Sequence, residues 1–400
     1  MVMATTQYRC VRIDNVSGGK TTLYYNIYIF TNHNGYITGN IMPKVSKQIR
    51  KGRPSSHNNK DQKVIGMVLA GGRGKRLHPM TERIPKSLVE IKDGYTILDK
   101  QLLDFKNAGI DRVVLLTGHL SDKIEERYGS SWKGVDIIYS AESEPLGTWG
   151  SIKNAIVQHS LHGPAVIRNG DVVTDFSITE IMKNKQHPVT ILGIPMRSQF
   201  GILDINGSSI VRFKEKPILP HYISGGIYYV KELDDLMKCS KSLYPTQNSI
   251  EYDIFPILAS ESKLGVHIES DTNVFWASVD SIKDLEEVRK IYRNKTDKPW
   301  GYELLISHTD KYLQKKLYIK KDYKTSMHYH ERKMETLYVV YGKVRLDLEG
   351  DRYEIIEQGE SRTIKPGEVH SIVGLENTLI DESSTSHIDD TIRVKDFYTR

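Results

Sequence analysis

The stretch that decides the fold is Val64–Leu69 (VIGMVL), which runs directly into Ala70–Leu77 (AGGRGKRL) and is followed by Pro85–Leu88 (PKSL). The apolar run has the length and residue types of a buried strand. In the glycine-rich turn after it, backbone N–H groups can approach a phosphate because no Cβ stands in the way. Cations suited to phosphate oxygens follow at Arg73, Lys75, Arg76 and Lys86.

Outward from this segment, short apolar strands alternate with amphipathic helical stretches. Strands are predicted over Arg112–Thr117, Val135–Tyr139, Ala165–Ile167 and Val189–Leu192, and helices over Ile97–Ala108 and Ser121–Arg127. This βαβα order predicts an α/β doubly wound, Rossmann-like domain, which we assign to residues 64–293. Its sheet should be largely parallel, with the site at the carboxyl ends of the strands.

The charge of this 400-residue chain is unevenly distributed. Residues 1–63 contain ten Lys and Arg against two Asp, a net charge of +8, so the remainder of the +6 chain is close to −2. A near-neutral body argues against nucleic acid as a partner. Thr22–Phe30 is Tyr-rich and could form a strand, whereas Lys44–Lys63 is polar and basic. We therefore predict a basic, flexible N-terminal extension, with a small partner-binding or membrane-surface element as the alternative.

The remaining composition predicts a cytoplasmic protein with no membrane partner. The two cysteines, Cys10 and Cys239, are too few for a disulfide scaffold. No apolar run approaches the ~20 residues that span a bilayer. The N-terminus lacks the charged-then-apolar order of a secretory signal.

Residues 297–400 predict a second, all-β domain of the jelly-roll type. Strands are expected over Leu313–Ile319, Glu335–Val340, Lys343–Leu348, Arg352–Ile356, Glu360–Ile364 and His370–Val373. Among them lies a set of residues with metal-ligand chemistry: His328, His330, Glu335 and His370. His328 and His330 are two apart on a strand and so face the same side. Three imidazoles and a carboxylate can hold Zn²⁺, Mn²⁺ or Fe²⁺ with positions open for substrate.

The first domain resembles the sugar-1-phosphate nucleotidyltransferases, whose signature runs Leu-Ala-Gly-Gly-x-Gly-Thr-Arg-Leu and then Pro-Lys. Lys75 stands where that family usually has Thr. Glu144–Ser151 (EPLGTWGS) is similar to the family's base-reading Pro-Leu-Gly-Thr-x-Gly loop, although by itself it also fits a plain helix-start turn. The resemblance implies that the nucleotide is bound by Ala70, Gly71, Gly72, Gly74, Gly147 and Thr148.

The resemblance also implies a Mg²⁺ site and a sugar-phosphate site. Asp171 follows an apolar strand and is expected to bind Mg²⁺ beside the phosphates. Asp280 is the candidate for the second carboxylate, because Ser278 occupies the position where relatives carry Asp. Arg76, Lys86 and Lys216 would neutralise charge together with the ion. Contacts to the sugar and its phosphate are expected from Glu215, Gly225 and Gly226. Ser249–Pro256 also looks like a family segment, although its acidic residues fit a solvated helix equally well.

The second domain resembles the cupins, and more closely the cupin domain of type II mannose-6-phosphate isomerases. Its opening Lys298–Gly301 (KPWG) and its ending Asp389–Asp396 (DDTIRVKD) match that pattern. His328 and Lys333 stand where that family often has Gln and Arg. The resemblance implies that Arg393 binds a sugar phosphate, and it leaves open a homo-oligomer formed through the cupin domain.

Together these resemblances imply an enzyme that joins a nucleoside triphosphate to a sugar 1-phosphate and releases pyrophosphate. GTP and mannose 1-phosphate are favoured, because mannose 6-phosphate isomerisation and GDP-mannose formation belong to one route. The cupin domain would then interconvert mannose 6-phosphate and fructose 6-phosphate. Two alternatives stay open: an active transferase with a non-catalytic, metal- and sugar-phosphate-sensing cupin, and a non-catalytic sugar-nucleotide-binding regulator, to which Lys75 and Ser278 point.

Overall fold

The computed structural model describes residues 10–17, 20–27, 63–239, 248–271 and 274–398. The chain divides into two compact units, Met1–Asn59 and Lys60–Arg400. In the first unit, β1 (Cys10–Ser17) pairs antiparallel with β2 (Lys20–Ile27). The expected strand at Thr22–Phe30 overlaps β2, and most of the linker predicted at Lys44–Lys63 lies outside the described residues.

The first part of the second unit is an α/β fold, which confirms the predicted fold class. Its strands are β3 (Ile65–Leu69), β4 (Glu90–Lys92), β5 (Tyr95–Thr96), β6 (Arg112–Thr117), β7 (Ser131–Trp132), β8 (Val135–Ala141), β9 (Ala165–Asn169), β10 (Val172–Thr174), β11 (Val189–Arg197), β12 (Ile202–Asn206), β13 (Ser209–Lys214), β14 (Ile218–Val230), β15 (Leu264–Ile268) and β16 (Trp276–Ser278). Its helices are α1 (Ile97–Asn107), α2 (Ser121–Tyr128), α3 (Gly147–Gln158), α4 (Ile178–Lys183), α5 (Leu233–Cys239), α6 (Phe255–Ser260) and α7 (Ile282–Tyr292).

The main sheet has eight strands in the order β15-β11-β14-β9-β3-β6-β8-β7. The central strands β9, β3, β6 and β8 are parallel, whereas β14 runs antiparallel between β9 and β11. The sheet is therefore mixed and not uniformly parallel. Because the parallel strands point the same way, the turns that follow β3 and β9 meet at one edge.

Both faces of this sheet are covered by helices, as a doubly wound fold requires. Met67 and Val68 are neighbours on β3, and their side chains enter separate buried clusters on opposite faces. The Met67 cluster packs against α3, α5 and α6, and the Val68 cluster against α1, α2 and α4. Strands buried on both faces explain why β3 is an uninterrupted apolar run.

The second part of this unit is all-β, as predicted. Its strands are β17 (Lys295–Lys298), β18 (Gly301–His308), β19 (Tyr312–Ile319), β20 (Met327–Tyr329), β21 (Glu335–Tyr341), β22 (Lys343–Leu348), β23 (Tyr353–Glu357), β24 (Ser361–Ile364), β25 (His370–Gly374), β26 (Thr378–Thr385) and β27 (Ile392–Lys395). They form a six-stranded sheet, β17-β18-β19-β26-β21-β24, and a five-stranded sheet, β23-β22-β25-β20-β27. On β22, Val344, Leu346 and Leu348 alternate with polar residues and enter the core that both sheets share.

Lys295, on the first strand of the all-β part, ties the two parts together. Its buried Nζ lies 2.5 Å from Asp175 Oδ1, just after β10, and 4.3 Å from the centre of the Tyr302 ring. A buried cation is tolerated only where carboxylates and aromatic faces replace its hydration. Lys295 therefore holds the end of β10 against the six-stranded sheet.

Across the described ranges, the helices are all too short or too polar to cross a membrane.

Candidate functional site

The glycine-rich turn follows β3 at the edge where the parallel strands end. Gly74 has a left-handed φ of +59° and opens a short 3₁₀ turn over Lys75–Leu77. The Gly74 carbonyl accepts a hydrogen bond from Thr81 Oγ1 at 2.8 Å, and a Cβ at Gly72 would meet no atom within 4 Å. Thr81 thus fixes the turn at Gly74, whereas the space beside Gly72 is open. A turn whose backbone N–H groups bind phosphates requires both features.

Two carboxylates meet beside this turn. Asp171 follows β9, and Asp280 follows β16, which pairs antiparallel with β10. Lys86 Nζ lies 2.7 Å from Asp171 Oδ2 and 3.0 Å from Asp280 Oδ1. Arg76 Nη2 lies 2.8 Å from the same oxygen of Asp280. The structure therefore brings together four of the predicted site residues from distant parts of the chain.

Asp280, and not Ser278, supplies the second carboxylate at this point. The hydroxyl of Ser278 donates to Asp280 Oδ2 at 3.2 Å and so braces that carboxylate. Burial alone would raise the pKa of Asp280, but the hydrogen bond and charge of Lys86, together with Arg76, hold that pKa below its ordinary value. Asp280 is therefore ionised at neutral pH. The Lys86 ammonium between the two carboxylates shows that this position accepts a cation, and carboxylate oxygens are the ligands that Mg²⁺ prefers.

Gly170, immediately before Asp171, is required by close packing. Its N–H donates to the Leu69 carbonyl at 3.1 Å, and a Cβ built on Gly170 would collide with that same oxygen. This contact presses the Asp171 loop against the end of β3, so that the carboxylate stands beside the glycine-rich turn.

We expect Gly170→Ala to lower the free energy of unfolding by about 1–3 kcal/mol, because the new methyl group must displace backbone. Gly72→Ala is the matched control and should stay within about 0.5 kcal/mol of wild type, since its Cβ projects into open space. Denaturant unfolding of both variants measures the difference. Equal stabilities would contradict the packing argument.

The predicted base-reading loop opens α3 and is fastened to a second loop. Gly147 has a φ of +75°, and a Cβ there would lie 2.5 Å from the Asn248 carbonyl oxygen. The Thr148 hydroxyl donates to Glu251 Oε2 at 2.8 Å and accepts from the Ile250 N–H at 2.9 Å. Thr148 therefore positions the loop with its side chain. Glu251 is held by hydrogen bonds and is not a solvated helix charge.

Glu142 is a candidate that the sequence analysis missed. It follows β8, and its Oε1 packs against the backbone of Gly71 and Gly118. A Cβ built on either glycine would lie only 3.0 or 3.1 Å from that oxygen. Ser151 Oγ donates to Glu142 Oε2 at 2.6 Å. The signal in the sequence was its position between the predicted strand at Val135–Tyr139 and the Pro-Leu-Gly-Thr motif.

The predicted sugar-binding residues are only partly assembled around the carboxylates. The Gly225 carbonyl accepts from Trp276 Nε1 at 2.9 Å, and Gly226, with φ of +68°, packs against Val172 beside Asp171. Glu215 and Lys216 are exposed beyond the end of β13. Within the described ranges, neither makes a hydrogen bond or an ion pair with Lys86 or the two aspartates, so the structure shows no direct contact between this segment and the carboxylates.

The four predicted metal ligands of the all-β part converge. One ligand atom from each of His328, His330, Glu335 and His370 lies within 4.8 Å of all the others. His328 and His370 face each other across the β20–β25 pair, whereas Glu335 comes from β21 of the opposite sheet. The cluster therefore lies between the two sheets.

Hydrogen bonds to the backbone orient the three imidazoles of the cluster. The Nδ1 atoms of His328, His330 and His370 lie 2.7–2.9 Å from the carbonyl oxygens of Ser326, Asp390 and Glu368. A carbonyl only accepts, so each Nδ1–H donates to it, which leaves Nε2 as the candidate ligand atom of each ring. The Nε2 atoms of His330 and His370 are buried and lie 3.6 and 3.1 Å from the carboxylate oxygens of Glu335. This donor set fits a divalent transition-metal ion.

Lys333 and Glu382 lie behind the cluster. The buried Lys333 ammonium donates to Glu335 Oε2, and its distance to Glu382 Oε1 is 2.5 Å. Lys333 therefore orients the ligand carboxylate through Oε2 and leaves Oε1 facing His370, 3.1 Å away.

Arg393 lies opposite His328 in the β20–β27 register, so both side chains leave the same face of the sheet. Arg393 is exposed.

Burial, reinforced by the charge of His370, lowers the pKa of His328 to about 4. The unfolded chain takes up this proton near pH 6.5, and the folded chain only near pH 4. We therefore expect the stability of the metal-free protein to fall as pH decreases through this range. Thermal melts of chelator-treated wild type and His328→Gln measure the effect. The variant should show a weaker pH dependence, and parallel curves would contradict the assignment.

Comparisons with known proteins agree with both parts of the structure. The family model described as "Nucleotidyl transferase" matches residues 65–295, and the "Cupin domain" model matches residues 317–378. A mannose-1-phosphate guanyltransferase of Saccharomyces cerevisiae is 32% identical over 248 residues, covering 58% of this chain and 66% of that protein. The catalytic subunit beta of a mannose-1-phosphate guanylyltransferase from Xenopus tropicalis is 30% identical over 234 residues, covering 54% and 61%.

The chain thus spans less than two thirds of the length of these relatives. The solved structure of HddC from Yersinia pseudotuberculosis, complexed with GMP-PN, has 21% identity and a TM-score of 0.43, covering 57% of this chain and 100% of that one. The nucleotidyl transferase model accounts for more than half of the residues. This chain therefore belongs to the nucleotidyl transferase family, and it carries a cupin domain after the family region.

Proposed function

We propose that this chain transfers a nucleotidyl group from a nucleoside triphosphate, preferentially GTP, to a sugar 1-phosphate, preferentially mannose 1-phosphate. The observation that carries the proposal is the convergence of Asp171, Asp280, Lys86 and Arg76 beside the glycine-rich turn. The names of the relatives support the choice of mannose 1-phosphate and a guanylyl group.

In the proposed reaction, an oxygen of the sugar 1-phosphate attacks the α-phosphorus and the bond to the β-phosphate oxygen breaks, so that pyrophosphate leaves. A divalent ion held by Asp171 and Asp280 would neutralise the phosphate oxygens. The backbone amides of the turn at Gly71–Gly74 bind the triphosphate, and Arg76 and Lys86 offset its charge. Lys216 pairs with the phosphate of the sugar. The protein contributes alignment and charge neutralisation and forms no covalent intermediate.

The preference for GTP is supported by the carboxylate of Glu142. Guanine presents two adjacent donors, N1–H and the 2-amino group, and a carboxylate accepts from both. Adenine and cytosine offer an amino donor next to a ring acceptor, and that acceptor would face the carboxylate unfavourably. Glu142 lies over glycine backbone beside the predicted base-reading loop, and Ser151 holds its Oε2 in place.

We expect Glu142→Gln to lower kcat/KM for GTP by about 10–100-fold, because a charge-assisted hydrogen bond is lost and an amide N–H₂ then faces a guanine donor. The turnover of UTP and CTP should change much less. Pyrophosphate release with each nucleotide measures the ratio, and Glu144→Gln, on the exposed loop two residues away, is the control. An unchanged ratio would exclude Glu142 from base selection.

The test of the proposed transferase is pyrophosphate release by the full-length chain with Mg²⁺. GTP, UTP, CTP and dTTP are each combined with mannose, glucose and a heptose 1-phosphate. The highest kcat/KM is expected for GTP with mannose 1-phosphate. Release with another pair would keep the reaction class and change the substrate. Silence across the whole grid would overturn the transferase and favour the sugar-nucleotide-binding regulator.

A second candidate function, supported by the convergence of His328, His330, Glu335 and His370, belongs to the cupin domain. We propose that this domain binds a divalent metal ion and a sugar phosphate, and that it interconverts mannose 6-phosphate and fructose 6-phosphate. Arg393 would hold the phosphate. Lys333 is paired with two carboxylates, so it does not serve as the base.

The isomerase test follows the conversion of mannose 6-phosphate by the metal-loaded full chain, with Glu335→Gln as the inactive comparison. Conversion that is lost in the variant would support the isomerase. A metal-loaded chain that binds mannose 6-phosphate without converting it would exclude the isomerase and favour a sensing cupin.

A further inference from the structure

A two-stranded ribbon projects from the sheet of the α/β part. The ends of β11 and β14 are joined where the Ser198 N–H donates to the Pro217 carbonyl at 2.9 Å, and from there the chain continues as the β12–β13 hairpin. Every residue of both hairpin strands is exposed. The hairpin strands are therefore not buried against the main sheet.

The two faces of this ribbon differ sharply in chemistry. Leu203 lies opposite Phe213, and Ile205 lies opposite Ile210, so one face is apolar. On the other face, Asp204 lies opposite Arg212 in a complementary charge pair. Apolar and polar residues that alternate with period two are the pattern of a strand with one buried face. Yet Ile205, Ile210 and Phe213 are 65%, 59% and 61% exposed.

A groove lies at the base of the same ribbon. Its volume is about 430 Å³, and it is lined by residues of β11, β14 and the end of β15, including Pro195, Ile218, Tyr222 and Ile268. Ile218, Tyr222 and Ile268 are each about half exposed. The chain thus carries an apolar projection and an apolar recess side by side.

The exposed apolar area here exceeds what a monomer normally leaves in water. Leaving out Ile202, which lies on the face of Asp204 and Arg212, nine large apolar side chains between residues 200 and 223 are each at least 36% exposed. Half-exposed side chains of this size leave on the order of 80–100 Å² each, so together they expose about 700–900 Å². Monomers rarely show patches above roughly 600 Å², whereas one side of a standard protein interface covers about 800 Å².

We propose that this surface binds a second copy of the chain, in a twofold-symmetric dimer in which the apolar face of each ribbon covers the groove of its partner. A twofold axis buries both features at once, because each copy supplies a projection and a recess. The Asp204–Arg212 pair on the opposite face stays in water. The proposal does not depend on the enzymatic activity, and it sets the dimer contact in the α/β part and not in the cupin domain.

The test is the mass of the full-length chain in sedimentation or light-scattering experiments at about 10 µM, where a micromolar or tighter dimer is populated. Wild type should have twice the mass of one chain, and Ile205→Lys/Ile210→Lys should have the mass of one. The matched control, Asn206→Lys/Ser209→Lys, adds the same charge to the neighbouring polar pair and should remain dimeric. Because all four residues are exposed, both variants should melt like wild type.

Tyr222→Lys tests the groove independently and should also halve the mass. A monomeric wild type would overturn the proposal and leave another protein as the partner of this face. A dimer that survives the apolar ribbon variant would overturn it by placing the contact elsewhere, such as the cupin domain. If Tyr222→Lys remains dimeric while Ile205→Lys/Ile210→Lys becomes monomeric, the groove is excluded as the docking surface.

Discussion

Asp171→Asn is expected to lower the rate of pyrophosphate release by about 10³-fold or more, while the protein remains folded. Asn keeps the shape of the side chain but removes its charge, so that one of the two carboxylates able to hold Mg²⁺ is lost. Lys86, which lies 2.7 Å from Asp171, then keeps Asp280 as its charged partner. Pyrophosphate release with saturating GTP and mannose 1-phosphate measures the effect.

The control is Asp136→Asn, an exposed residue of β8 that should leave the rate unchanged. Asp280→Asn is expected to resemble Asp171→Asn and to raise the Mg²⁺ concentration needed for half-maximal rate. An Asp171→Asn protein that keeps more than about a tenth of the wild-type rate would exclude Asp171 from the reacting centre.

The second large effect is expected in the cupin domain. His370→Ala should weaken metal binding by at least about 100-fold, because the fully buried imidazole offers one of the four candidate ligand atoms. Metal content per chain, measured after equilibration with Mn²⁺ or Zn²⁺ and removal of the excess, reports the loss.

His308→Ala is the matched control, since His308 lies on β18 in the same domain and bonds only the exposed Ser386 carbonyl. That variant should keep its metal. Retention of a full equivalent of metal by His370→Ala would contradict the assignment of the cluster as the metal centre. Pyrophosphate release should be independent of His370 if the two sites work separately.

Local sequence patterns were enough to predict both fold classes. The predicted strand at Arg112–Thr117 coincides with β6, and the one at Lys343–Leu348 coincides with β22. The helix predicted at Ile97–Ala108 begins at the Thr96 capping box and ends before Gly109, which has a φ of +75°. These elements are set by apolar periodicity and capping within a few residues, so sequence alone suffices.

Most candidate site residues could also be named from motifs, because each motif places a chemical group at the end of a strand. The sequence could not show that Lys86 bridges Asp171 and Asp280, since that contact depends on strand order and on the β10–β16 pairing. It also could not show that Glu215 and Lys216 are exposed beyond the end of β13, because the path of the β12–β13 ribbon is a tertiary property.

The sequence by itself therefore determined the strands, the glycine-rich turn and the types of ligand that each domain offers. Only the tertiary structure decided which groups meet: Asp280 rather than Ser278 beside Asp171, Glu142 over Gly71, and Lys333 behind Glu335. It also decided the orientation of His330, whose Nδ1 lies 2.7 Å from the carbonyl oxygen of the distant Asp390. The physical reason is the separation along the chain of the residues that interact. Secondary structure follows from residues that are neighbours in the sequence, whereas a site is built from distant residues that only the order of the strands brings together.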